Sequence, residues 1–406
     1  MTDKGSYQNN LARDWKGRRL SRRDFLRGAG AMALAALVSA CRRVVSEPFP
    51  TISPSTSPLP ATTSQVFLPA VSSQGSTATP NMTATPSPAG SPTPIPTPTP
   101  TPFPPGPPSK LGVFIIRPHA QVYDLMSTGN VALVKTIEHD PIFLGEIKAL
   151  SPDALFVGRL MMPQVDLGKI DPAAEARRVV DQLMTVAGDS RRMEIFDAWE
   201  GYNEPVASDA EQMKRLADME AERVRLLAGY GIRSVIGNFS AGQPPLEDWP
   251  HFRPALESAR EHGGYLGLHE YSAPVMQFGT EGDEGWLTLR YRKVYRQYLL
   301  PAGLDLPLLI TECGIDGTVG SSRPGPDGQG WQHFVRYWAE LGMGTDGAGN
   351  YIEQLAWYDS ELMKDDYVVG AAIFAINTTK DWQTYDILGE AAAILERYLA
   401  VHPPKT

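Results

Sequence analysis

A (β/α)8 TIM barrel is the fold class this sequence predicts, preceded by a signal peptide and a disordered Pro/Thr/Ser-rich linker. Three observations carry the prediction. The composition breaks sharply near Lys110, where a proline-rich stretch gives way to short apolar runs. Eight such runs then alternate with amphipathic stretches over roughly 290 residues, the layout of parallel strands with covering helices. Two glutamates, Glu204 and Glu312, each follow one of these runs and are followed by a turn former.

The runs, in order, are Leu111–Arg117, Val131–Ile137, Ala154–Leu160, Glu194–Ala198, Ser234–Asn238, Tyr265–His269, Leu306–Thr311 and Val368–Ile376. Runs this short do not separate strand from buried helix by periodicity alone. The alternation does, because helical patterns at Asp171–Ala187, Asp209–Gly229, Pro254–His262, Leu287–Leu300, Asn350–Lys364 and Tyr385–Val401 lie between or after them. A doubly wound open sheet is the competing architecture. It usually has fewer strands, and no glycine-rich phosphate loop follows the first run here. The expected organisation is a signal segment over 1–41, a linker over 42–109 and the barrel over 110–402.

The chain has 406 residues and a formal charge of −9. Setting aside the first 41 residues, with their eight Lys/Arg and three Asp/Glu, leaves a body at −14. An acidic body argues against nucleic acid or anionic lipid as its main ligand. A neutral ligand such as a glycan is compatible with it. The two cysteines are Cys41 and Cys313, and no His/Cys spacing matches a structural zinc site. Nothing in the sequence calls for a cofactor, a metal or an obligate protein partner.

Residues 18–41 place a basic region before about a dozen small apolar residues, the layout of a signal peptide. Ser21-Arg22-Arg23-Asp24-Phe25-Leu26 resembles the twin-arginine export signal. Val38-Ser39-Ala40-Cys41 resembles a bacterial lipobox, which implies lipidation of Cys41 and a membrane anchor at the outer face of the cell membrane. The alternative is an anchor helix that is never cut. From Glu47 to Ser109 the chain holds 19 of its 36 prolines and a single charge. Such a segment favours extended polyproline II and would reach up to roughly 200 Å.

Active sites of this fold lie at the C-terminal rim of the barrel. The strand ends place there Arg117, His119, Glu138, His139, Arg159, Asn203, Glu204, Asn238, His269, Tyr271, Glu312 and Asn377. So many polar groups at the ends of apolar strands are costly unless they serve one another or a ligand. Two facing carboxylates are the working parts of a sugar-cleaving site.

Three motifs sharpen that expectation. Asn203-Glu204-Pro205, His269-Glu270-Tyr271 and Thr311-Glu312 follow the fourth, sixth and seventh runs. They resemble the retaining (β/α)8 glycoside hydrolases of the 4/7 superfamily, which includes the family 5 cellulases and mannanases. The resemblance covers about residues 110–400. It implies Glu312 as nucleophile and Glu204 as acid/base, with Asn203 toward the sugar 2-hydroxyl and His269 and Tyr271 beside the carboxylates. Glu204 would start protonated, which burial or the nearby charge of Glu312 favours. The sequence departs from the group at strand 8, which offers Phe374 in place of a frequent Trp. It also departs at strand 2, where Arg159 on strand 3 is the candidate substitute for a frequent Arg.

Arg159 and Asn238 are further substrate-binding candidates. Trp331 and Trp357 are the leading sugar platforms, with Trp199, Trp286 and Trp382 behind them. Glu200 reads as structural and Cys313 as a small buried hydrophobe. Two rival functions stand beside the glycosidase: a catalytically inactive barrel that binds carbohydrate at the cell surface, and a metal-dependent hydrolase.

Overall fold

The computed structural model describes residues 103–320 and 323–403. The expected signal peptide, the lipobox Cys41 and almost all of the linker lie outside the described residues. Eight parallel strands close into a barrel: β1 (Leu111–Ile115), β2 (Leu133–Thr136), β3 (Leu155–Gly158), β4 (Ala198–Glu200), β5 (Arg233–Phe239), β6 (Tyr265–Ser272), β7 (Leu308–Ile315) and β8 (Val368–Ile376). Each pairs with its sequence neighbours, and β8 pairs with β1 to complete the ring. The predicted TIM barrel is the observed fold.

One strand sits elsewhere than expected. Glu194–Ala198 is not a strand: Ser190–Ile195 is a short helix capped by Asp189, whose side chain accepts from the Arg192 N–H. The strand begins only at Ala198 and lasts three residues. The helical stretch Leu287–Leu300 begins later than expected, at Arg290, after Leu289 turns through a left-handed φ of 62°. Two short helices, Ala120–Ser127 and Pro141–Leu150, cover β1 and β2 where no helix was expected.

Strand alternation sorts the core into two layers. Phe114, Leu133, Val157, Ala198, Val235, Tyr265, Leu309 and Ala372 fill the barrel interior. Val113, Val134, Phe156, Trp199, Ile236, Leu266, Ile310 and Ala371 face the surrounding helices. Counting by twos from the interior residues Leu133 and Ala198 brings Lys135 and Glu200 to the inside of the barrel. Both are fully buried.

Two irregularities aim the rim. The β5–β6 register slips between Gly237 and Phe239, leaving Asn238 as an extra residue at φ 48°. The β6–β7 register slips after Leu268, so that Thr311 is the extra residue and Glu312 comes alongside His269. Without that bulge, alternation from Leu309 would turn Glu312 outward.

Candidate active site

Glu312 is held from every side. Its Oε1 lies 2.9 Å from the Lys135 ammonium and 3.2 Å from the Arg159 guanidinium. Its Oε2 accepts the Tyr271 hydroxyl at 2.7 Å and lies 3.5 Å from Nδ1 of His269. Burial pushes this carboxyl up, but the charges of His269, Lys135 and Arg159, with the Tyr271 hydrogen bond, outweigh it. The net effect holds Glu312 down at about 2. Tyr271 moves the other way: burial and the neighbouring charge of Glu312 push its hydroxyl well up, so it remains a donor.

Glu204 sits where the chain leaves β4. It adopts a left-handed φ of 45°, and its N–H donates to the Asn238 carbonyl at 3.0 Å. A non-glycine residue there costs about 1–3 kcal/mol and concentrates at functional positions. Its Oε1 lies 2.8 Å from His269 Nδ1. Its side chain is 35% exposed against 7% for Glu312. One oxygen of Glu204, one of Glu312 and a nitrogen of His269 all lie within 4.8 Å of one another. His269, wholly buried, therefore stands between an open carboxyl and an enclosed one.

The other predicted residues divide. Arg159 belongs to the cluster through Glu312. Asn203 and Asn238 flank Glu204, and each carries a buried side-chain oxygen without a protein partner; so does His269 Nε2. Asn238 is wedged tightly, since a Cβ on Gly267 would lie 2.1 Å from its Oδ1. Trp331 is packed away: its ring stacks on Tyr351 at 5.0 Å and its indole N–H donates to the Asp386 carbonyl. Trp357 lines a separate surface cavity of about 580 Å³ with Phe103, Pro104 and Tyr398. Neither tryptophan joins the carboxylate cluster, because both serve helix and loop packing.

Several rim residues brace loops. His119 and Glu138 accept backbone N–H groups of Gln121 and of His139 and Asp140, and Asn377 donates to the Pro118 carbonyl at 2.9 Å. The aromatic contact at the site runs instead from Tyr271 to Phe374, whose ring meets both Trp382 and Tyr385 edge-on. Lys135 and Tyr385 were missed, and Glu200, read as structural, pairs with Lys135 at 3.0 Å. The signal for the first was a lone charge inside an apolar run, which is costly unless paired.

The Glu204–His269–Glu312 trio has the spacing of a cation site. Lys135 and Arg159 already occupy Oε1 of Glu312, and their two positive charges oppose a metal there.

Fold and site together define a (β/α)8 barrel bearing a two-glutamate cluster at its C-terminal rim. No protein-family model and no curated protein matches the chain. Among solved structures it is similar to a β-D-glucuronidase from Dictyoglomus thermophilum, at 10% identity and a TM-score of 0.45, over 73% of this chain and 51% of that one. It is similar to a GH128 (subgroup II) endo-β-1,3-glucanase from Pseudomonas viridiflava, at 16% identity and 0.41, over 73% and 98%. An endo-β-1,4-mannanase from Thermotoga petrophila aligns at 12% identity and 0.40, over 72% and 76%. The chain spans about half the length of the first of these. The fold assignment rests on the strand pairing above rather than on these likenesses.

Proposed function

We propose that the chain is a glycoside hydrolase that cleaves O-glycosidic bonds of a polysaccharide or oligosaccharide with retention. The observation that carries this reading is a pair of carboxyls, one enclosed and ionised and one open, with an oxygen of each within 4.8 Å of an oxygen of the other. Retaining enzymes need carboxyls about 5–5.5 Å apart, whereas inverting ones leave room for water at about 6.5–9.5 Å.

Glu312 attacks the anomeric carbon as the C–O bond to the leaving group breaks, and Glu204 gives that oxygen its proton. Glu204 then takes a proton from water, which attacks the same carbon and releases Glu312 as carboxylate. His269 holds Glu204 over the cluster. Asn203 and Asn238 each offer an unpartnered amide oxygen to a sugar hydroxyl, and Phe374 with Trp382 offers an apolar face to the ring.

A screen of the chain on aryl glycosides and polysaccharides, with product stereochemistry followed by NMR, tests the reading. Retention is expected, and Glu312→Gln is expected to cut turnover by about 10⁴-fold or more. Inversion, or an unimpaired Glu312→Gln, removes the assigned roles. Glycan binding in a calorimeter without cleavage would favour the inactive, carbohydrate-binding alternative. Activity lost to chelator and restored by a metal would favour the cation site.

The N-terminal sequence supports a second part of the proposal: export by the twin-arginine route and a lipid anchor on Cys41, which puts the barrel at the cell surface.

A further inference from the structure

Beneath Glu312 lies a pair of ions that no loop uses. Among the other buried acids of the described residues, Glu220 takes hydrogen bonds from Arg223, while Glu270 accepts the backbone N–H groups of Leu289 and Tyr291 and Asp359 accepts that of Lys110. Glu200 holds none. Its Oε2 lies 3.0 Å from the Lys135 ammonium, and neither of its oxygens receives an aligned hydrogen bond. Lys135 in turn meets Glu200, Glu312 and the face of the Phe114 ring at 4.9 Å. Both side chains are wholly buried. A charge pair in such a place costs more in desolvation than an apolar pair would, so it is weak evidence of a stabilising role.

The remaining charged and titratable neighbours of the cluster are Arg159 from the end of β3, His269 and Tyr271 from β6, Glu204 from the loop after β4, Cys313 beside Glu312 on β7, Asp316 just past β7 and Tyr385 after β8. Glu220 and Arg223, outside β4, pair with each other at 2.5 Å. Lys135 and Arg159 thus face Glu312 and Glu200, two cations against two anions. Forming a glycosyl ester on Glu312 removes one of the anions. Glu200 then remains as the counter-charge for the buried ammonium.

We propose that Lys135 and Glu200 are positioning residues of the double displacement: Lys135 orients and pairs the nucleophile, and Glu200 balances Lys135 while Glu312 is esterified. This rests on the glycosidase reading above.

The test uses the full-length chain with ¹³Cδ-labelled glutamate, the Glu312 resonance being assigned by its loss in Glu312→Gln. In the parent, Glu312 is expected to stay ionised down to acid unfolding. In Lys135→Met its titration rises by about one pH unit or more. Adding Glu200→Gln to that variant removes a neighbouring negative charge and brings the titration back part of the way. Should Lys135→Met not fold, the double variant is compared with Glu200→Gln, and the double variant titrates higher. A Glu312 titration that ignores Lys135, or a double variant titrating at or above the single one, overturns the proposal.

On an aryl glycoside whose covalent intermediate accumulates, Glu200→Gln is expected to shorten the lifetime of that intermediate; an unchanged lifetime overturns the role of Glu200. If no glycan is cleaved, the glycosidase reading fails while the carboxyl titration still decides the pairing. If glycan is cleaved and the titration does not move, the pairing fails alone.

Discussion

Glu312 and Glu270 are both buried carboxyls on neighbouring strands, yet their surroundings push them in opposite directions. Glu312 is held below its ordinary 4.5, at about 2, so its contribution to stability is present above 4.5 and is lost as pH falls through 2. Glu270 is raised from 4.5 to about 7 because burial outweighs hydrogen bonds from Tyr358, Tyr291 and Leu289. Its contribution is present below 4.5 and is lost as pH rises through 7. Urea unfolding across pH is expected to separate them. Glu312→Gln flattens the acid fall between 4.5 and 2, and Glu270→Gln flattens the decline between 4.5 and 7. Tyr271→Phe removes a donor from Oε2 of Glu312, so the acidic limb of kcat/KM is expected to rise by about one pH unit.

At the scale of elements, the two bulges matter more than strand length. Asn238 is the extra residue of β5, sits at φ 48°, and offers its carbonyl to the Glu204 N–H. Asparagine tolerates that backbone better than most residues, and glycine better still. Asn238→Ala is expected to lower stability by about 1–2 kcal/mol, with Asn238→Gly closer to the parent, both read by thermal unfolding. Most strands were legible because each is an apolar run bounded by turn formers. β4 was misplaced because Ile195 and Phe196 extend an apolar pattern that belongs to the preceding helix. Glu204, Glu312, His269 and Tyr271 were legible from motif and strand end. Lys135 and Glu200 were not, because which alternate side chains point inward depends on closure of the ring. Trp331 and Trp357 misled because an aromatic ring reads the same in sequence whether it meets a ligand or a helix.

Across the whole molecule, the proposed export signal and anchor in the basic N-terminus can be tested apart from the acidic body. If Cys41 is the acylation site, Cys41→Ala abolishes incorporation of labelled palmitate and releases the chain from the membrane fraction. Replacing Arg22 and Arg23 together by Lys is expected to retain the protein in the cytoplasm, read by fractionation. The barrel itself holds a linked set of four charged side chains from its interior up to its C-terminal rim, where most such barrels stack branched aliphatic side chains inside. That choice has an evolutionary corollary. A descendant relieved of chemistry would have no reason to retain them, and swapping the ensemble for well-fitted hydrocarbon would make it hardier by about 1–4 kcal/mol. On the glycosidase reading proposed above, persistence of Lys135 with Glu200 in any lineage is thus expected to mark turnover still under selection.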